Sequence, residues 1–381
     1  MGLGPKASRG WRRSEPRHNG GFDIGFLDDR APPRAEILVG SMEKFRAREG
    51  DFVETREGLI FDVKGLIHPP DRLVAYIRYF PAKSGDRRRG GTFYKKVYSL
   101  KERDEFLRKE YPQYLYYDEA FSRWLEGVPI QDISKHHIPT VKLLALLEKK
   151  DVGPPESHAI KFARGLHDSS GVPIQKMGVS GSILVDLSTE TSDIDLVIYG
   201  KANCLSVHRA LRKLLENNED VSPYDLEDLK RLYGFRVKDT EMSFEDFVKV
   251  ERRKVYQGKF LGKDYFIRFV FDWEEVEERY GDRRYVPLGR AKIEATVEDD
   301  SKAIFTPCTY VVSDARFLGK SSFPQIGEIA SFRGRFCEQA VRGEKTVAQG
   351  AVEKVIENDG RTYYRLILGE YPSDFMAVKG N

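Results

Sequence analysis

Apolar and polar positions begin to alternate at Phe52. The alternation runs through EGLIFDVKGLIHP, LVAYIRYFPA and TFYKKVYSL, which predicts strands separated by turn-rich segments, with KSGDRRRGG joining the second and third. SLKERDEFLRKEYPQYLYY then predicts an amphipathic helix behind a Ser cap. Helical spacing continues in IPTVKLLALLEKK and ESHAIKFARGLHDSS, followed by short strands at IQKMGVS and DIDLVIYG. In DIDLVIYG a period of two puts Ile194, Leu196 and Ile198 on one face and Asp193 and Asp195 on the other. CLSVHRALRKLLENN, YDLEDLKRLYG and SFEDFVKVERRKVY predict helices, and DYFIRFVFDW another strand. After about residue 285 the helical period fades. RAKIEATVE, AIFTPCTYVV, EIASFRGRFCEQAV, TVAQGAVEKVIEN and RTYYRLILG are spaced like the strands of a small barrel or sandwich.

This pattern predicts an α+β protein of several domains, in keeping with a length of 381 residues. An N-terminal α+β domain over 42–135 and a central domain over 136–284 precede a β-rich, barrel-like domain over 285–381. Residues 1–41 hold seven Gly and four Pro with no apolar period, so a disordered tail is expected there and Met42 is a candidate start.

Charge narrows the choice of partners. With 63 basic and 60 acidic residues the net charge is only +3, so no global field draws in a polyanion, which must be met locally. No apolar run reaches the ~18–20 residues of a membrane span and no secretory signal precedes the pattern, so a cytoplasmic protein without a membrane partner is expected. Cys204, Cys308 and Cys337 are too scattered for a disulfide framework or a zinc set and read as buried thiols. Charged residues make up 32% while Asn and Gln together number 13, the bias of proteins from hot environments.

The chemistry concentrates in GVSGSILVDLSTETSDIDLVIYG, residues 178–200. Two carboxylates two apart on a strand point the same way and repel. A divalent cation removes the repulsion, and magnesium favours one or two carboxylates plus substrate phosphates. Gly181 and Ser182 end the preceding strand, where a residue without a side chain lets a phosphate approach backbone N–H groups and a hydroxyl adds a donor. A nucleoside triphosphate with Mg2+ fits between the Gly-Ser pair and the Asp-Ile-Asp triplet.

This constellation resembles the signature of the DNA polymerase β-like nucleotidyltransferase superfamily. That signature is an apolar residue, Gly, Gly or Ser, a spacer of about nine to thirteen residues, and an acidic-apolar-acidic-apolar run. Here the spacer from Ile183 to Ser192 has ten residues and Asp193-Ile194-Asp195-Leu196 supplies the run. The resemblance covers roughly residues 136–280 and implies a small mixed sheet flanked by helices. It also implies two-metal transfer of a nucleoside monophosphate to an acceptor hydroxyl. Asp193 and Asp195 would be metal ligands, and a third carboxylate would lie on a later strand. Asp272, ending FIRFVFDW, is the choice for that third ligand and Glu294 its competitor. Many members carry a cation in the spacer. LVDLSTET has none, which leaves Lys176, Lys201 or Arg268 to substitute in space.

Other features are weaker. Arg87, Arg88 and Arg89 with Tyr94, Lys95 and Lys96 put cations and an aromatic on one hairpin, a pattern that suits RNA and equally a solvated loop. His136 and His137 lack a third ligand, so a structural or surface role is expected for them, and His158, His167 and His208 lie on different predicted helices without shared spacing and are assigned no role. YPQYLYYDEAF reads as a packed helix end and turn. The C-terminal barrel reads as a substrate-holding module or as scaffold. An enzyme with RNA as acceptor is the first reading, and a non-catalytic nucleic-acid-binding or assembly protein on the same fold is the alternative.

Overall fold

The computed structural model describes residues 45–97, 99–217, 219–237, 242–320 and 323–379. The tail expected at 1–41 and the candidate start at Met42 lie outside them. Among the described residues three sheets and seven α-helices make a mixed α+β molecule, and the residues from Phe45 onward form one compact unit.

The first sheet contains β1 (Phe52–Thr55), β2 (Ile60–Val63), β3 (Arg72–Ala82), β4 (Arg87–Arg89), β5 (Thr92–Lys96), β6 (Leu115–Asp118), β7 (Arg123–Pro129) and β8 (Ile133–His137). Its main path runs β4-β5-β3-β2-β1-β8, with β7 also on β3 and β6 on β7. Helix α1 (Leu100–Glu110) starts where expected, because Ser99 Oγ accepts from the Glu102 N–H at 3.0 Å. YPQYLYYDEAF departs from the predicted helix end: after a turn at Pro112–Tyr114 it pairs as β6 with β7. Tyr114, in that turn, is fully buried, whereas Tyr117 on β6 is exposed.

The second sheet, β11-β12-β13-β10-β9, is small and mixed. It holds β9 (Met177–Val179), β10 (Ile194–Tyr199), β11 (Val221–Ser222), β12 (Gln257–Phe260) and β13 (Lys263–Val270). The helices are α2 (Pro139–Glu148), α3 (Pro154–Ser170), the short α4 (Gly181–Leu184), α5 (Lys201–Asn217), α6 (Leu226–Arg236) and α7 (Phe244–Glu251). Strand β9 is antiparallel and β13 parallel to β10. The apolar face of β10, with Ile194, Leu196 and Ile198, packs with Ile267 and Phe269 of β13 and with α3 and α5, in a core continuous with the C-terminal region.

The third sheet closes. Strands β14 (Arg283–Lys302), β15 (Cys308–Phe317), β16 (Glu328–Ser331), β17 (Lys345–Glu357) and β18 (Thr362–Leu368) follow the ring β14-β15-β16-β18-β17-β14, with β19 (Phe375–Val378) on β17. Only β16 and β18 in that ring run parallel. This is a five-stranded barrel in which the third strand pairs with the fifth. Among the described residues no helix is long and apolar enough to cross a membrane. All three cysteines are buried and free.

Candidate functional site

Backbone pairing brings the Gly-Ser pair to the aspartates. The Ser180 N–H donates to Asp195 C=O at 2.8 Å, and Val179 sits opposite Leu196. Gly181 follows with φ +60°, a left-handed conformation that costs glycine little. A Cβ at that position would overlap Asp195 Oδ2 and lie 2.8 Å from its Cγ. The glycine is therefore what allows the Asp195 carboxylate to lie against this bend. Ser182 is buried in α4 beside it.

The spacer is an apolar plug. Leu184, Val185 and Leu187 are buried against Phe52, Ile60, Tyr79 and Tyr94 of the first sheet, each contributing about 1.5–3 kcal/mol. Its end is shaped by Ser192, whose Oγ accepts from the Thr189 N–H at 2.8 Å. Arg87 Nη1 donates to Thr189 Oγ1 at 2.8 Å and to Ser192 Oγ at 3.2 Å, while Arg89 Nη1 reaches Val185 C=O at 3.1 Å. Arg89 also pairs with Glu54 at 2.6 Å. Two of the three arginines suggested for RNA contact thus turn inward. Arg88, Lys95 and Phe93 face outward.

Asp193 and Asp195 share a face of the sheet, as their spacing predicts. Asp193 is open to water yet closely ringed by protein, a recessed position. Burial first, then the neighbouring Asp195 and Asp264, push its carboxyl up to about 6. Burial also raises Asp195, opposed by Arg268, Lys96 and Arg78. Neither carboxylate takes a hydrogen bond or close ion pair from a described residue. A carboxylate pair held this close without hydrogen bonds from the described residues suits a divalent cation. Among the described residues no trio of His, Cys, Asp or Glu forms a ready-made metal cage, so the fit is to magnesium held by a pair and completed by phosphate oxygens.

The structure does not bring Asp272 to this pair. Strands β10 and β13 run parallel, with Ile194 opposite Tyr265 and Tyr199 opposite Val270. Asp272 therefore lies beyond the far end, about 20 Å along the strands from the level of Asp195. There it caps a turn through the Trp273 N–H at 3.0 Å and binds Arg48 at 2.8 Å and Lys176 at 2.5 Å. Glu294 is on the barrel, paired with Lys379 at 2.6 Å. The carboxylate at the right end of β13 is Asp264, one position before the Ile194–Tyr265 pair, and Arg231 holds it at 3.0 Å. The alternation of KDYFIRFV could have pointed to it. The parallel register, which selects it over Asp272, is absent from any local pattern.

The proposed substitute cations are accounted for differently. Lys176 is engaged by Asp272, and Lys201 is exposed at the start of α5. Arg268 bonds Glu49 at 2.8 Å and Asp62 at 3.2 Å, and Lys64 joins the same two acids. Burial would raise Asp62, but Arg268 and Lys64 hold its carboxyl well below the usual range. Sequence reasoning missed the cation that faces the aspartates. Lys96, at the end of β5, interacts with both Asp195 and Asp193; burial and the neighbouring Arg78 pull it down to about 8. The five histidines singled out in the sequence have hydrogen-bond partners: His136 bonds Asp51 at 2.8 Å, His137 Glu54 at 3.1 Å and His208 Glu338 at 2.7 Å. His158 and His167 bond backbone carbonyls.

No family model matches the chain, and no solved structure matches it. Over 346 residues it is 34% identical to a protein of the archaeon Methanocaldococcus jannaschii described as uncharacterized protein MJ1086, an alignment spanning 88% of this chain and 99% of that one.

Proposed function

From the premise that this chain belongs to the family of MJ1086, we propose that it is a magnesium-dependent nucleotidyltransferase, moving a nucleoside monophosphate from a triphosphate to an acceptor hydroxyl. The reading rests on one observation: Asp193 and Asp195 stand two residues apart with no hydrogen bond from a described residue, and Asp195 packs directly against the Gly181 bend, where a side chain at 181 would collide with it. Metal-binding acids and a phosphate-accepting turn are thereby within one step of each other.

Asp193 and Asp195 would hold Mg2+, with Asp264 taking the third carboxylate position in place of Asp272. Magnesium bound there supplies charge neutralisation for the phosphates and Lewis acidity toward the attacking hydroxyl. The chain's own part is placement. Gly181 lets the Asp195 carboxylate pack against the bend, and Ser182 adds a hydroxyl donor beside it. Arg231 holds Asp264 in place through an ion pair of 3.0 Å until a metal competes for it. The recess beside Asp193 leaves an approach for the acceptor.

The test is label transfer. The full chain is incubated with each labelled nucleoside triphosphate, magnesium and total cellular RNA as acceptor, beside an Asp193→Asn/Asp195→Asn variant. Transfer by the wild type and its loss in a folded double variant are expected. Absence of transfer by either, with equal RNA retention by both, would refute the enzyme and favour the non-catalytic binding module.

A further inference from the structure

We infer that Lys96, carried by the N-terminal sheet, binds the triphosphate of the nucleotide received by the Asp193–Asp195 pair and supplies the positive charge that the Ile183–Ser192 spacer lacks. The inference rests on the nucleotidyl-transfer reading above.

Register carries the first part. Strand β5 pairs with β3, Lys96 opposite Tyr79 and Tyr94 opposite Pro81. Tyr94 points into the apolar cluster that contains Leu184 and Leu187 of the spacer. Lys96 is two residues on, so the period of two sends its side chain to the same side, toward the central sheet. Lys95, between them, faces solvent.

The second part is rigidity. Arg87 is bound to Thr189 and Ser192, and Arg89 to Val185 C=O and Glu54. The hairpin that bears Lys96 is therefore tied to the loop that ends at Asp193, and the ammonium keeps a set position relative to the carboxylates. Lys96 interacts electrostatically with both Asp193 and Asp195, and Arg78 and Arg87 are also near it. Lys176 and Arg268, the alternatives, are committed to Asp272 and to Glu49 and Asp62.

The third part is chemistry. Where two acids hold metal, a compact ammonium beside them matches the far end of a polyphosphate. In this chain the apolar spacer docks the N-terminal sheet, and that sheet brings the cation with it.

Calorimetric titration of the full chain with inorganic tripolyphosphate in millimolar magnesium tests this. Lys96→Met is expected to weaken binding about tenfold or more, Lys96→Arg to recover most of it, and Lys95→Met to leave it unchanged. In the transfer assay Lys96→Met should raise KM for the triphosphate more than it lowers kcat. Wild-type affinity in Lys96→Met, or a Lys96→Arg variant as weak as Lys96→Met, overturns the inference while leaving nucleotidyl transfer standing. A wild type that binds neither tripolyphosphate nor any nucleoside triphosphate and transfers no label overturns both.

Discussion

Asp193 shows what a residue sacrifices to be ready for a ligand. Its carboxyl is pushed up to about 6 by burial and by Asp195 and Asp264, so the native state favours the neutral form relative to the unfolded chain, which titrates near 3.8. The sign follows from linkage: proton uptake stabilises the fold as pH falls from about 6 toward 4, and the full cost of the charge is present above about 6. Asp193→Asn should therefore be more stable than the wild type at neutral pH without magnesium. The two-unit shift corresponds to about 3 kcal/mol in a sealed site, but Asp193 is open to solvent, and screening reduces the expected gain to about 1 kcal/mol. Urea unfolding at about pH 7.5 and about pH 4 checks it; a gain that persists at the lower pH contradicts the assignment. Gly181 and the two aspartates were readable in the sequence because the relevant geometry spans only a bend and a strand. Lys96 was visible only as one cation of a basic hairpin, since which face of β5 meets the aspartates depends on how that sheet docks.

At the scale of elements, the parallel pairing of β10 and β13 decides the third carboxylate. Both Asp264 and Asp272 lie on the aspartate face of β13 or its extension, and alternation alone cannot separate them. Register separates them by most of a strand length. Asp272 instead ties Arg48 and Lys176 to the far end of the sheet. Burial notwithstanding, hydrogen bonds from Lys176 and Arg48 hold its carboxyl down to about 2. That contribution is present above about pH 4 and is lost as pH falls through 2. Asp272→Asn should cost about 1–3 kcal/mol of stability and keep transfer near the wild-type rate. Asp264→Asn should lower transfer about 100-fold or more with a small change in stability. The reverse outcome in the label-transfer assay would return the role to Asp272. The barrel illustrates the same limit: its strands were evident from alternation, but ring closure and the parallel β16–β18 pair were not.

For the whole molecule, three sheets behave as one body because their contacts are shared. The core around β10 and β13 continues without a break into barrel residues such as Ile293, Leu366 and Met376. The N-terminal sheet is joined to the barrel by Arg123, which pairs with Glu353 and Glu370, and by Phe121 stacked on Tyr285 at 4.9 Å. It meets the central sheet through Gly50, whose φ of +96° and lack of a side chain let it lie on Val197. Ala330, Ala351 and Ile367 on the outside of the barrel are buried together with Phe332. Scanning calorimetry should accordingly give one cooperative transition, and Arg123→Met, which leaves buried Glu353 to Arg365 alone, should lower it as a whole by about 2 kcal/mol. Two resolved transitions in either protein contradict a shared core. By itself the sequence determined the mixed architecture, most of the elements, and the Gly-Ser and Asp-x-Asp pieces of the site, because alternation, capping and glycine conformation act over a few residues. Only the tertiary structure decided which carboxylate joins the pair, which cation faces it, and that the basic hairpin turns two arginines inward, because strand register and sheet docking are set by contacts between residues far apart in the chain.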